Sequence, residues 1–208
     1  RFKATGSGPT APWAVQATTE APGGVTLRAD GTAARGLDRV ELKVQGEVPL
    51  GLANSFIQPR SVSGRAALDR RVTGPPALSS DSGRLTTTDT RYVDPDLGVV
   101  LENVSITITL ASGRAQLDVN APVQGGGRIA VTGPVALTRP YSGELRVTFD
   151  NARVRDPSLY DTTVSGTITL SGPLAGGATF GGRLALGQTE IRIPSSITGG
   201  TAPIPNIT

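Results

Sequence analysis

Apolar residues recur at every second position along most of this chain, and that period is the strongest constraint on what it can fold into. Val40, Leu42, Val44, Val48 and Leu50 alternate with Arg39, Glu41, Lys43, Gln45 and Glu47. Val104, Ile106, Ile108 and Leu110 alternate with Ser105, Thr107 and Thr109, and Ala115, Leu117, Val119 and Ala121 alternate with Arg114, Gln116, Asp118 and Asn120. Ile129, Val131, Val135 and Leu137 follow, then Leu145, Val147 and Phe149. In the stretch "DTTVSGTITLSGPLAGGATFGGRLALGQTEIRIP" (161–194), Val164, Gly166, Ile168 and Leu170 take one side and Thr163, Ser165, Thr167 and Thr169 the other. Phe180, Gly182, Leu184 and Leu186 repeat the pattern after a glycine-rich turn. A period of two belongs to half-buried strands, because successive side chains point to opposite faces of a sheet. Short Gly, Ser, Asn and Asp turns separate the runs, as in an antiparallel meander. The spacing predicts about a dozen strands and an all-β architecture.

Two places depart from alternation. In "PLGLANSFIQ", from Pro49 to Gln58, Leu50, Leu52, Ala53, Phe56 and Ile57 fit a helical face, and Pro59 stops it. One helix this short needs packing on the sheet to stand. At Gly187–Gln188 the apolar positions change from even, through Leu186, to odd, at Ile191 and Ile193. That change of parity predicts a β-bulge, with Leu186 and Ile191 on the same face. The longest connection expected is the segment 71–82, so residues 1–208 are read as a single unit. The chain begins with Arg1, and it is read as a segment of a longer polypeptide.

Composition removes several function classes. The 208 residues include no His, Cys or Met. That excludes a Ser–His–Asp triad, a Cys nucleophile and most zinc sites. Lys+Arg number 20 against 17 Asp+Glu, and neither half of the chain is a basic arm, so nucleic acid is not an expected partner. No run of about 20 apolar residues is present, so no membrane span is expected. The runs Gly125–Gly127 and Gly176–Gly177 read as hairpin turns; neither lies between a strand and a helix, as a phosphate-binding loop would. Asp89, Asp94 and Asp96 could share a calcium ion, but an Asp-Pro turn explains them as well. One Trp, three Tyr and four Phe are too few to line a sugar-binding cleft for paired carboxylates. No catalytic residues, metal or cofactor are expected, and the chain is not read as an enzyme. The apolar face is the notable feature.

The stretch "DPSLYDTTVSGTITLSGPLAGGATFGGRLALGQTEIRIP" resembles the repetitive region near the C-terminus of the TamB family, the large periplasmic subunits of the translocation and assembly module of Gram-negative bacteria. "VPLGLANSFIQPRSVSGRAALDRRVTGPPALSSDSGRL" and "DPDLGVVLENVSITITLASGRAQLDVNAPVQGGGRIAVTGPVAL" are similar to other parts of that region, and the likeness covers residues 40 to 194. The resemblance implies a curled antiparallel sheet forming an open trough, the β-taco, with an apolar interior and one short helix. The same principle serves AsmA-like and bridge-like lipid-transfer proteins. It implies a periplasmic location with the full-length protein anchored in the inner membrane, phospholipid acyl chains as cargo, and a TamA-like outer-membrane barrel as partner.

On this resemblance the apolar face becomes a candidate lipid-binding groove. Its expected lining is Val104, Ile106, Ile108, Leu110, Leu117, Val119, Ile129, Val131, Leu145, Val147, Phe149, Val164, Ile168, Leu170, Phe180, Leu184, Leu186, Ile191 and Ile193. Three functions compete. A segment of an inner-to-outer membrane phospholipid conduit needs a contiguous groove. A chaperone-like scaffold for outer-membrane protein (autotransporter) assembly with TamA would show an uncovered edge strand without charged gatekeepers. A purely structural β-domain would show a filled, dry interior.

Overall fold

In a computed structural model, described for residues 2–5, 12–21, 23–36, 38–75, 81–156 and 159–191, the strands form one antiparallel sheet. In chain order they are β1 (Phe2–Thr5), β2 (Trp13–Ala21), β3 (Val25–Ala33), β4 (Val40–Pro49), β5 (Ser61–Gly74), β6 (Asp81–Asp94), β7 (Val99–Ala111), β8 (Arg114–Pro122), β9 (Arg128–Ala136), β10 (Ser142–Asp156), β11 (Tyr160–Pro173), β12 (Thr179–Leu186) and β13 (Glu190–Ile191). Spatial order follows sequence order from β1 to β12, and β13 pairs with β11. Every neighbour is joined through a short local connection, as the alternating runs and turn residues dictate. The sheet is curled and open, not a closed barrel. Eleven strand spacings on this path give a length of roughly 53 Å.

Residues directly opposite in an antiparallel ladder share a face, so the register states what lies beside what. Leu27 faces Gly46, Gly46 faces Leu68, Leu68 faces Leu85, Leu85 faces Ile108, and Ile108 faces Leu117. The row continues through Gly133 on β9, and Leu145, Leu170 and Phe180 carry it to β12. The apolar face is therefore continuous from β3 to β12. Its opposite carries cross-strand ion pairs, including Arg65–Glu47 at 3.1 Å and Arg128–Asp150 at 3.3 Å.

Glycines in mid-strand let the sheet curl. Gly133 has φ +142°, and a Cβ there would collide with the backbone carbonyl of Glu144. Gly182 has φ +143°, and a Cβ there would collide with the carbonyl of Thr167. Only glycine takes such a backbone conformation without strain, and glycine kinks of this kind bend a sheet. Bulges add a second bend. Register shifts fall between Ser63 and Arg65, Thr86 and Thr90, and Phe149 and Ala152. Asp89, Asn103 and Asn151, at φ 51°, 52° and 46°, occupy the bulged positions on β6, β7 and β10. Thr90, Val104 and Ala152 lie beside them at 2%, 6% and 1% exposure, so the sheet buries itself most at this corner.

The connection between β4 and β5 holds the one short helix expected there. Leu50–Ala53 form a 3-10 turn that runs into a single α-turn, α1 (Asn54–Ile57). The amide of Val62 donates to the Asn54 side chain at 2.8 Å and clips this segment to β5. Two short turns of different pitch do not make one apolar helix face. Leu50 and Ile57 are half-buried, whereas Leu52 is exposed and Phe56 is 88% exposed. The break at Gly187 behaves as the parity predicts. Leu186 pairs with Val164 and Ile191 with Tyr160, so five steps on one side match four on β11, and one extra residue is accommodated.

Candidate functional site

Among the described residues, the buried apolar side chains are only Ala33, Val40, Ala66, Val99, Val104, Ala115, Ala121, Val123 and Ala152. A closed sandwich of this size would bury Leu, Ile and Phe from both walls. Here no described Leu, Ile or Phe on the apolar face is fully buried. The filled, dry interior that a purely structural β-domain would show is not found among the described residues, whose strands lie in one sheet.

Most of the expected lining residues come together. One row runs Ile106, Val119, Val131, Val147 and Ile168 across β7 to β11 and ends opposite Gly182. The next holds Ile129, Phe149 and Leu184, with Ala121 and Gly166 between larger neighbours. Ile108, Leu117, Leu145 and Leu170 form the row on the other side, and Leu110 lies beside Ala115 one row further. From β7 to β11 the expected lining residues in these rows are half-buried, and Ala115 and Ala121 beside them are buried. Small residues beside large ones leave a shallow, smooth aliphatic floor.

The remaining members differ. Val104 lies in the bulged corner and is buried, so it supports the floor rather than lining it. Val164 is half-buried opposite Ala152 and Leu186. Phe180 (74%), Leu184 (43%), Leu186 (67%) and Ile191 (76%) are exposed, because among the described residues no further strand pairs beyond β12. Ile193 lies outside the described residues.

Two features escaped the sequence reading. Arg70 stands on the apolar face in register with Val44 and Gly83, half-buried, with its Nε shut off from water. Its place at an even position among Val62, Ala66, Leu68 and Val72 was the available signal, obscured by the run Asp69-Arg70-Arg71. The second is a polar knot at the rim. Asp94 Oδ2 accepts from Arg60 Nε at 2.7 Å and from the Tyr92 hydroxyl at 3.5 Å. Asp94 Oδ1 accepts from the amides of Asp96 and Leu97 at 3.1 and 3.2 Å. The Arg60 hydrogen bond, helped by those amides, holds the Asp94 carboxyl below the usual carboxylate range, against the opposing effect of burial. Burial first, then Asp94, pushes the Tyr92 phenol up. This engaged carboxylate caps the β6–β7 turn. Asp89 lies in the β6 bulge, and the described residues contain no cluster of three or more acidic side chains placed to hold a metal.

A one-layer, glycine-kinked antiparallel sheet with a continuous aliphatic concave face defines the trough-forming β-proteins. Residues 114–204 match the family model described as the TamB C-terminal domain. The chain is similar to that domain over this stretch, which begins at β8. The likeness associates it with the translocation and assembly module and with transport of lipid or protein in general. No curated protein and no solved structure matches the chain. Among the described residues no helix is long and apolar enough to cross a membrane.

Proposed function

We propose that the concave face is a segment of a phospholipid conduit between the inner and outer membranes, shielding acyl chains from water in the periplasm. The observation that carries this reading is the uninterrupted aliphatic row from Ile106 to Ile168, each member half-buried and none fully buried. An acyl chain of about 16 carbons, fully withdrawn from water, gains about 12 kcal/mol at ~0.8 kcal/mol per methylene. An open trough covers only part of the chain's circumference, so the gain is a fraction of that. It is enough to hold lipid in passage without trapping it. Aliphatic walls with no buried polar anchors in these rows would accept acyl chains of differing length. The role is passive carriage, needing neither catalysis nor a cofactor, and a TamA-like barrel is the proposed partner at the outer membrane. Native mass spectrometry of the purified chain tests this reading: co-purified phospholipid is expected, and a chain that stays bare after incubation with phospholipid vesicles would overturn it.

That no described strand pairs beyond β12 supports a second reading, a scaffold for strands of outer-membrane proteins. All eight of its residues are exposed, and Arg183 is its single charge.

A further inference from the structure

On the outward face, Lys43 of β4 stands directly opposite Arg71 of β5, and Arg71 stands opposite Ser82 of β6. Arg84, diagonal to Arg71, faces Asp69. No other two cations stand directly opposite each other in the described ladders. Like charges so placed destabilise a sheet. Lys43, Arg71 and Arg84 are all exposed, and among the described residues none of the three makes an ion pair. The acids nearby are engaged elsewhere. Asp69 accepts from Gln45 Nε2 at 3.0 Å, and both Asp30 oxygens accept from Arg28, at 2.6 and 3.3 Å.

Lys43, Asp69, Arg71, Ser82, Gly83 and Arg84 line a recess of about 540 Å³. Three cations against one carboxylate leave it two positive charges in excess. We propose that this recess binds a phosphate group in its doubly charged form, either a free phosphate or the terminal phosphate of a lipid headgroup. A phosphate monoester carries about −1.5 to −2 charges at pH 7, which matches the excess, whereas a phosphodiester carries only one. Arg71 and Arg84 present planar forks suited to phosphate oxygens, and Lys43 adds a point charge. The Ser82 hydroxyl reaches the Arg71 carbonyl at 3.5 Å, a contact long enough to exchange for a bound oxygen. The recess lies on the face opposite the apolar rows, so the proposal goes beyond acyl-chain carriage and does not rest on it.

Inorganic phosphate, titrated calorimetrically into the whole chain at about pH 7.5 against chloride of equal ionic strength, tests this. One saturable site is expected. Arg71→Gln and Arg84→Gln should each weaken it about ten-fold. Arg146→Gln, a lone outward arginine between Thr132 and Thr169, should leave it unchanged. Arg71→Gln removes the opposed cations, so without phosphate it should melt no lower than the parent, which separates lost binding from lost folding. Phosphate should raise the melting temperature of the parent more than that of this variant. Sedimentation with phosphatidylcholine vesicles containing phosphatidic acid separates the two sources: retention that Arg71→Gln abolishes assigns the phosphate to a lipid, and phosphate binding without retention assigns it to a soluble compound. No heat beyond the chloride blank would overturn the proposal. So would equal weakening by all three glutamine variants, or equal retention on vesicles containing phosphatidylglycerol, a single-charge phosphodiester. Lipid held on the apolar face is read separately by mass spectrometry, so failure here leaves the conduit reading standing.

Discussion

Burying the Asp94 carboxylate costs desolvation energy, and its environment offsets that cost by filling both oxygens: Arg60 and Tyr92 on one, two backbone amides on the other. Because the folded carboxyl ionises more readily than an unfolded one, its contribution is fully present above about pH 4, the ordinary Asp value, and is lost as pH falls through the depressed folded value. Arg60 is 41% exposed, so water screens the ion pair and solvates the cation when its partner is removed. We expect Asp94→Asn to cost about 1 kcal/mol at neutral pH, with the loss shrinking towards zero in acid. Urea unfolding at a series of pH values from 3 to 7 measures this. A loss that stays constant across the series would mean that the charge contributes nothing. The same residue shows what composition hides. The Asp-Pro turn was legible at Asp94-Pro95, whereas the approach of Arg60 depends on a connection 34 residues away and on a bend that no local pattern encodes.

Strands were easier to read than the bends within them. Alternation marked the face of every strand from β7 to β12, because β-branched and hydroxyl residues separate cleanly there. The parity shift at Gly187 was visible for the same reason. The equivalent shift on β10, from Leu145, Val147 and Phe149 to Ala152 and Val154, was equally present in the sequence, but two turn-type residues, Asp150 and Asn151, stand between them and hide it. On β6 the run Thr86, Thr87, Thr88 carries no apolar contrast, so the bulge at Asp89 left no trace. The mid-strand glycines were legible as weak points of a strand but not as its bends, since curvature depends on φ. The neighbouring glycines of β12 separate these meanings. Gly181 has ordinary φ, and a Cβ on it would meet Thr169 Oγ1 at 3.5 Å, an ordinary contact. Gly182 has φ +143°, and a Cβ on it would meet the backbone of β11 at Thr167 and Ile168. Gly181→Ala should therefore be neutral or stabilising by up to about 1 kcal/mol, whereas Gly182→Ala should cost about 2 kcal/mol. Hydrogen exchange should show the second variant releasing β12 while β7 to β9 stay protected. Equal effects of the two substitutions would count against glycine as the source of the bend.

At the scale of the whole molecule, the proposed conduit makes the apolar face of the sheet both structure and working surface. Ile168 illustrates this. It lies in the row from Ile106 to Gly182, half-buried between Val147 on β10 and the bare backbone of Gly182 on β12. In a closed core an aspartate at this position would be an unpaired buried charge, a change that costs more than about 4 kcal/mol and commonly prevents folding. In an open trough the carboxylate turns towards solvent, and the loss is limited to part of the isoleucine's contacts, about 1–2 kcal/mol. For a chain of this length that is a fall in Tm of about 2–8 °C. The aliphatic path, by contrast, is broken completely, because an acyl chain sliding along the row meets a hydrated charge that it cannot pass without desolvating it. Ile168→Asp should therefore fold, melt only slightly early and lose co-purified phospholipid. Thr169→Asp, one residue along β11 on the exposed outward face, should change neither measurement. A folded Ile168→Asp chain that still carries lipid would refute the conduit. A chain that cannot fold would mean that the face is covered in solution, with its rows serving as a core.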